Sequence, residues 1–221
     1  MEDEEDVIVK KQSNKVLYAI IILAILIIAT IVLLPSKESE PKTIDDLHLL
    51  NIEGKLKPDQ GYIYKGLSFI NYEGIWYTQF RSQKGTRLYD SAFRFGPKEA
   101  EEVPVEGFFD ITSFDNSTNY YVTFDPLGSQ FNYVAVAIAD FNQNMMAVFD
   151  KIPIAACDKN ETSACVDRPI INCSNTNEVV LYVKERNQTK IVFEDNCINV
   201  EGSGLDLVKA VDKVLYIFYG I

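Results

Sequence analysis

The side chains that could do chemistry in this chain are four cysteines, one histidine and many scattered carboxylates. The cysteines follow one another at intervals of eight, eight and twenty-four residues, without a Cys-x-x-Cys pair: Cys157, Cys165, Cys173 and Cys197. The single histidine, His48, precedes the first cysteine by more than a hundred residues. A zinc site needs several thiolates and imidazoles close together. This spacing therefore disfavours zinc, and we predict two disulfides in an oxidising compartment.

Four cysteines allow three disulfide pairings. We favour Cys157–Cys165, which closes a short polar loop, together with Cys173–Cys197, which would tie two neighbouring strands. A bridge over the longer interval should stabilise the fold by about 3 kcal/mol. The other two pairings stay open at this point.

No arrangement of residues predicts catalysis. His48 lies in a short amphipathic segment, where we expect it on the polar, exposed side and far from any nucleophile. Carboxylates could pair for glycoside cleavage, but their spacing selects no two of them: Asp90, Glu99, Asp110, Asp125 and Asp140. The segment 158–162 faintly resembles a calcium loop, yet lacks its glycine and final glutamate. We predict no catalytic residue, no cofactor and no metal ligand.

An uncharged apolar run near the start of the chain predicts a membrane anchor. Residues 16–34 read VLYAIIILAILIIATIVLL, and as a helix they would span about 28 Å, close to the hydrocarbon thickness of a bilayer. A cleaved signal peptide is the alternative, but the following Leu-Pro-Ser is a poor cleavage site. A pilin-type leader would need a small residue where Gln12 stands. We predict an uncleaved anchor in the lipid bilayer.

Flanking charges predict the orientation of that anchor. Lys10, Lys11 and Lys15 precede the apolar run, whereas Lys37 and Lys42 follow it among acidic residues. Positive charge favours the cytoplasmic side. We therefore predict a cytoplasmic tail (1–15), a transmembrane segment (16–34), a stalk (35–42) and one extracytoplasmic domain (43–221). Four Asn-x-Ser/Thr glycosylation sequons agree with that side: Asn116, Asn160, Asn172 and Asn187.

The net charge of the predicted outer domain limits which kinds of partner it can bind. The chain has 32 acids and 21 bases; without the five acids and three bases of residues 1–15, a net charge of −9 remains. Binding phosphate requires a basic face. The sequence therefore disfavours a nucleic-acid partner.

Hydrophobic periodicity predicts the elements of the outer domain. Thr43 and Asp46 can cap a short helix, and Glu73-Gly74 joins strands 67–72 and 75–80 in a hairpin. A third strand (86–95) completes a meander. Helical spacing covers 132–149 and the segment from Gly204 to about 219, the latter with Ser203 and Asp206 as a capping pair and Asp212 towards solvent. Further strands are predicted at 120–125, 152–156, 179–183, 190–193 and 197–200. The fold class is α+β, mostly antiparallel, with two longer helices.

Aromatic residues crowd the predicted meander. Alternation places Trp76 on one sheet face and Tyr77 on the other. If both faces carry large aromatics, one could contact a protein or a sugar. The alternative is that helices cover both faces. The residues that would mark such an interaction face are Tyr62, Tyr72, Tyr77 and Tyr89.

Several short motifs between residues 60 and 221 resemble those of a known group of proteins. They include Gly74-Ile75-Trp76-Tyr77-Thr78-Gln79, Phe93-Arg94-Phe95-Gly96-Pro97-Lys98-Glu99, Pro153-Ile154-Ala155-Ala156-Cys157, Asn196-Cys197-Ile198 and Asp206-Leu207-Val208-Lys209-Ala210-Val211-Asp212-Lys213. The chain thereby resembles a group of uncharacterised archaeal single-pass membrane-anchored proteins with a small cysteine-containing ectodomain. The resemblance implies an archaeal envelope setting and brings no activity with it.

The sequence thus favours a non-catalytic, membrane-anchored envelope protein whose outer domain binds another envelope or secretion protein. An anchored ligand-binding or sensor domain is the alternative, and an extracellular hydrolase is a third hypothesis. A concave pocket would favour the ligand-binding domain, whereas titratable groups that converge in a cleft would favour the hydrolase.

Overall fold

The computed structural model describes residues 17–26, 29, 43–82, 85, 87–109 and 111–221. The chain forms two compact units, Met1–Pro41 and Lys42–Ile221. In the first, residues 17–26 and 29 are helical. No helix in the described part of the chain is long and apolar enough to cross a membrane. The rest of the predicted segment 16–34 lies outside the described residues, as do the whole predicted tail 1–15 and the whole predicted stalk 35–42.

The first sheet of the second unit is the predicted meander. Its described strands are all antiparallel and follow chain order: β1 (Gly61–Tyr64), β2 (Leu67–Tyr72), β3 (Ile75–Arg81) and β4 (Leu88–Phe93). The hairpin prediction is confirmed, because Glu73 and Gly74 both have positive φ, as a tight hairpin turn requires. Strand β1 was not predicted.

Helix α1 (Ile44–Ile52) packs on β1 and β2. The Thr43 capping box is confirmed: the Thr43 hydroxyl accepts from the Asp46 amide, and the Asp46 carboxylate accepts from the Thr43 amide. The expectation that His48 is exposed was wrong, since the side chain is 4% exposed. The helix turns His48 and Asn51 onto the sheet, where each side chain bonds Ser68 Oγ.

The second sheet departs from the prediction of mostly antiparallel pairing. Its described strands run in the order β5-β9-β10-β8-β6-β7, and of its neighbouring pairs only β9 and β10 are antiparallel. The strands are β5 (Val105–Phe109), β6 (Asn119–Phe124), β7 (Ile152–Ala155), β8 (Val180–Glu185), β9 (Lys190–Asp195) and β10 (Cys197–Gly202). Parallel neighbours need long crossovers. Here a helix joins β6 to its neighbour β7. The segment from β7 to β8, which lies on the other side of β6, contains a short 3-10 helix (Ser163–Cys165).

Two long helices lie between the sheets, and both were predicted. They are α4 (Phe131–Val148) and α5 (Leu205–Phe218); shorter helices are α2 (Pro97–Ala100) and α3 (Ile111–Asn116). Helix α5 packs on α4, on β9 and β10, and on the first sheet through Tyr216, whose ring lies 4.5 Å from that of Phe93. The domain is therefore a sheet–helix–sheet sandwich, with α5 in its centre.

The structure overturns two predictions about α5. Ser203 and Asp206 do not form a capping pair, because Gly204 is the N-cap and carries no side-chain cap. Asp212, expected towards solvent, is completely buried. Its Oδ2 accepts hydrogen bonds from the amides of Arg94 and Phe95, both at 2.9 Å. A helix covered by layers on both sides has no solvent face at this point.

The favoured disulfide pairing is confirmed. Cys157 bonds Cys165, and Cys173 bonds Cys197, with Cα atoms 5.9 Å and 5.5 Å apart. The second bridge does not tie two strands, however. Cys197 begins β10, whereas Cys173 lies in the segment that leads to β8.

Candidate functional site

Four parallel strands end together at one edge of the mixed sheet. Strands β6, β7, β8 and β10 run in the same direction, so the residues that follow them lie side by side. We call this region the carboxyl edge. In α/β sheets, ligands bind outside the carboxyl ends of parallel strands, and two clefts open here.

The first opening, the polar cleft, has a volume of about 430 Å³. It carries three carboxylates and three cationic side chains. Its walls are formed by Asp125, Gly128, Asp158, Lys159, Tyr182, Lys184, Glu185 and Arg186. Because acids and bases are balanced, the cleft is suited to a ligand with both charges rather than to a simple anion or cation.

Several of these charged side chains already form hydrogen bonds or ion pairs with other groups of the protein. The Glu185 carboxylate accepts from the amides of Ser129 and Gln130, at 3.0 Å each, beside the start of α4. A helix start favours such a negative charge. Lys159 Nζ lies 2.9 Å from Asp125 Oδ2 and lowers the pKa of Asp125 below its ordinary value. These contacts shape the cleft and leave Glu185, Asp125 and Lys159 little capacity to bind a ligand.

Asp158 and Lys184 are different, because each retains unused capacity. Asp158 Oδ2 accepts from the Tyr182 hydroxyl at 2.9 Å, while its buried Oδ1 has no hydrogen-bond partner among the described residues. Lys184 Nζ lies 4.2 Å from the centre of the Tyr182 ring and forms no ion pair within the described chain. Burial raises the pKa of Asp158 and lowers the pKa of Lys184. A bound ligand of opposite charges would offset both effects.

The second opening, the apolar cleft, has a volume of about 310 Å³. The disulfide Cys157–Cys165 forms part of its wall, and the Phe131 ring, 57% exposed, lies 5.8 Å from that of Phe124. Its walls are formed by Phe124, Pro126, Phe131, Cys157, Thr162, Ala164, Cys165 and Arg168. Such a surface is suited to an apolar group.

A third cleft, of about 290 Å³, lies between the first sheet and α4. Arg94 Nε donates to Asp140 Oδ2 at 2.6 Å, so its main charges satisfy each other. Its walls are formed by Ile75, Tyr77, Asp90, Ala92, Phe93, Arg94, Asp140 and Gln143. We therefore regard the carboxyl edge as the stronger candidate.

The structure does not bring the four predicted tyrosines together. Strand register places Tyr62 and Tyr89 on the face of Trp76, and Tyr72 and Tyr77 on the opposite face. Tyr62 is also covered: its ring lies 4.9 Å from that of Trp76 and 4.0 Å from Lys98 Nζ. Burial raises its pKa to about 12. A role in partner binding stays a prediction.

The remaining sequence candidates are scattered. Of the sequon asparagines, Asn116, Asn160 and Asn187 are exposed, and Asn172 is half-buried. Of the carboxylates, Asp125 lines the polar cleft, Asp90 and Asp140 line the third cleft, Glu99 bonds the Gly96 amide, and Asp110 lies outside the described residues. No cluster of three or more metal-ligating side chains occurs in the described ranges.

Sequence reasoning missed the centre of the carboxyl edge. Asp158 belongs to the short polar loop that we expected the Cys157–Cys165 bridge to close, and we did not single out Tyr182 or Lys184 from the sequence. The available signal was polarity at alternate positions of a buried strand, since Tyr182 and Lys184 alternate with Leu181 and Val183 along β8.

Comparisons of the chain with models of protein families, with curated proteins and with solved structures found no match. The site must therefore be interpreted from its own residues.

Proposed function

We propose that this chain is a membrane-anchored envelope protein whose outer domain binds a small ligand and does not catalyse a reaction. The observation that carries the proposal is the polar cleft, where Asp158 Oδ1 is buried without a partner among the described residues and Lys184 lines the same cleft. A concave, charged site favours ligand binding over partner binding through a tyrosine face, because the four tyrosines are divided between two faces.

The helical segment 17–26 supports anchoring. Its large apolar side chains are about half exposed or more on all sides of the helix: Leu17, Tyr18, Ile20, Ile21, Ile22, Leu23, Ile25 and Leu26. A helix that is apolar all round needs an apolar environment, and lipid supplies one. The two disulfides support an extracytoplasmic domain, because such bonds persist in oxidising compartments.

The residues that line the polar cleft support binding without catalysis. Its walls contain no histidine and no thiol: the single histidine lies in α1, and all four cysteines are in disulfides. Burial raises the pKa of Tyr182 well above its ordinary value. The phenol therefore stays protonated and serves as a hydrogen-bond donor.

The orientation is tested by labelling thiols on intact cells with a membrane-impermeant reagent. We expect no labelling without reductant, and labelling after an impermeant reductant is added. Labelling without reductant would contradict the disulfides. Labelling that requires a breached membrane would reverse the orientation.

Ligand binding is tested by thermal unfolding of the full-length protein in detergent against a panel of polar metabolites. A ligand should raise the Tm of the wild type and of Asp195→Asn, but not that of Asp158→Asn. Asp195 is a matched control, because it is an exposed carboxylate before β10, at the opposite edge of the sheet. If nothing raises the Tm and a crosslinked pull-down recovers a stoichiometric envelope protein, partner binding replaces this proposal.

A further inference from the structure

The apolar cleft and the polar cleft open on opposite faces of the mixed sheet and share no lining residue. Phe124 lines the apolar cleft and Asp125 the polar one, and Cys157 and Asp158 divide in the same way. Successive side chains of an extended chain point to opposite faces, so the backbone at these two positions separates the clefts. The apolar cleft therefore has its own ligand chemistry, independent of the polar cleft on which the proposed function rests.

Three elements form the apolar walls of this cleft. Phe124 ends β6, Phe131 begins α4, and the Cys157–Cys165 bridge closes the loop that follows β7. Both bridged cysteines are buried, whereas Phe131 is 57% exposed although its ring lies 5.8 Å from that of Phe124. A ligand that covers this ring would remove further apolar surface from water, which favours binding.

The mouth of the cleft carries one positive charge. Arg168 is the only charged residue in the walls, and its guanidinium has no hydrogen-bond or ion-pair partner within the described ranges. A guanidinium without an acidic partner is unexpected in a chain with 32 acids and 21 bases. Thr162 lines the same cleft, and its hydroxyl donates only to Cys165 Sγ, a weak acceptor, at 3.3 Å. Both side chains can therefore donate to an anion.

From these observations we propose that the apolar cleft binds a small carboxylate with an apolar body, such as a short-chain fatty acid. The carboxylate would accept two parallel hydrogen bonds from the Arg168 guanidinium, because the two planar groups match in geometry. The hydrocarbon part would lie between Phe124 and Phe131, against the disulfide. This site is additional to the polar cleft, and neither proposal requires the other.

The size and charge of the apolar cleft argue against other classes of ligand. Its volume of about 310 Å³ is at the small end of the range for ligand sites, so a long-chain fatty acid or a diacyl lipid would leave most of its hydrocarbon outside. A cationic ligand would meet only the like charge of Arg168. A sugar would place hydroxyl groups against apolar walls that offer them no hydrogen bond.

The test is calorimetric titration of the full-length protein in detergent with straight-chain carboxylates from propionate to octanoate, corrected by titration into detergent alone. Affinity should rise about fourfold with each added methylene group until the cleft is full, and then stop rising. Hexanamide has the length of hexanoate without its charge and should bind at least about tenfold more weakly, because a charge-assisted hydrogen bond is lost. Hexylamine, with the opposite charge, should not bind.

Matched variants locate the contacts. Arg168→Met should weaken hexanoate binding at least about tenfold and leave hexanamide binding nearly unchanged. Arg81→Met, at an exposed arginine that ends β3, should change neither. Phe131→Ser should reduce the gain in affinity per methylene group, whereas Phe108→Ser, at a 78% exposed phenylalanine of β5, should not. The ligand series tests the same contacts without altering the protein, should a variant fail to fold.

Three outcomes overturn the inference. Equal affinity for hexanoate and hexanamide would show that Arg168 does not recognise the carboxylate. If Arg186→Met weakens hexanoate binding and Arg168→Met does not, the carboxylate binds in the polar cleft, so the inference falls and the proposed function stands. If no carboxylate of the series binds, the inference falls, and the panel of polar metabolites still tests the proposed function by itself.

Discussion

The imidazole of His48 is the clearest case of a side chain whose surroundings set its protonation. It lies between α1 and the first sheet, where Nδ1 is 2.9 Å from Ser68 Oγ and Nε2 is buried without a partner among the described residues. Burial lowers the pKa of His48 below its ordinary value of 6.5, although Asp90 and Asp45 act in the opposite direction. The neutral form is therefore favoured in the folded state.

We predict that the single histidine resonance titrates below pH 6.5 in an NMR pH series. Because the unfolded chain takes up this proton more readily, stability should be lost as pH falls from 6.5 towards the folded-state pKa. His48→Asn should lose less stability than the wild type over the same interval. A folded-state pKa at or above 6.5 would contradict the prediction.

Asp212 makes stability depend on pH in the opposite direction to His48. Burial raises its pKa to about 8, outweighing the hydrogen bonds from the Phe95 and Arg94 amides, which act to lower it. Since its folded pKa exceeds the ordinary value of 3.8, its contribution to stability is present below pH 3.8 and lost as pH rises towards 8.

We predict that Asp212→Asn removes this loss. The asparagine carbonyl can still accept from both amides and does not ionise. The free energy of unfolding of the variant minus that of the wild type should increase between pH 4 and pH 8, by at most about 1.4 kcal/mol per pH unit. The measurement is urea unfolding at several pH values. A difference independent of pH would refute the role of Asp212.

At the scale of elements, helix α3 depends on one lysine from outside it. Lys151 follows α4, is 5% exposed, and donates to the carbonyls of Phe114, Asp115 and Ser117 at the end of α3. A cation at a helix end satisfies carbonyls that have no partner within the helix. Its ammonium also lies 4.8 Å from the centre of the Phe114 ring.

We predict that Lys151→Met lowers the free energy of unfolding by about 2–4 kcal/mol, because partly buried carbonyls lose their donor. Lys190→Met is the matched control. Lys190 pairs with Glu106 at the surface, so its loss should cost at most about 1 kcal/mol. Chemical unfolding measures both variants. Equal effects would show that the contacts of Lys151 are not what stabilises α3.

At the scale of the whole domain, α5 joins the two sheets. Leu215 is fully buried in the common core, and Tyr216 beside it contacts rings of the first sheet. Because both sheets pack on this helix, we expect them to unfold together.

We predict that Leu215→Ala lowers the free energy of unfolding by about 2–5 kcal/mol. Fluorescence of Trp76, the only tryptophan, reports on the first sheet, and hydrogen exchange of β8 and β10 reports on the second. Both transitions should shift together. Leu205→Ala, at a 59% exposed position of the same helix, should change stability little. Separate transitions for the two sheets would contradict this coupling.

Features governed by neighbouring residues were predictable from the sequence. The Thr43–Asp46 cap, the Glu73-Gly74 hairpin and the apolar stripes of α4 and α5 all arise from periodicity or local hydrogen bonds. The favoured disulfide pairing belongs with them, because its first bridge closes a short loop and leaves one partner for each remaining cysteine.

Only the tertiary structure decided the parallel pairing of β6, β7, β8 and β10, the burial of His48 and Asp212, and the presence of Asp158 and Lys184 in one cleft. Each depends on which elements pack together across long stretches of chain, and periodicity within one element carries no information about its neighbours. The amphipathic pattern of α5 indicated one buried side, whereas the second sheet buries another. For the same reason the carboxyl edge, formed by the ends of strands distant in sequence, became visible only in the folded domain.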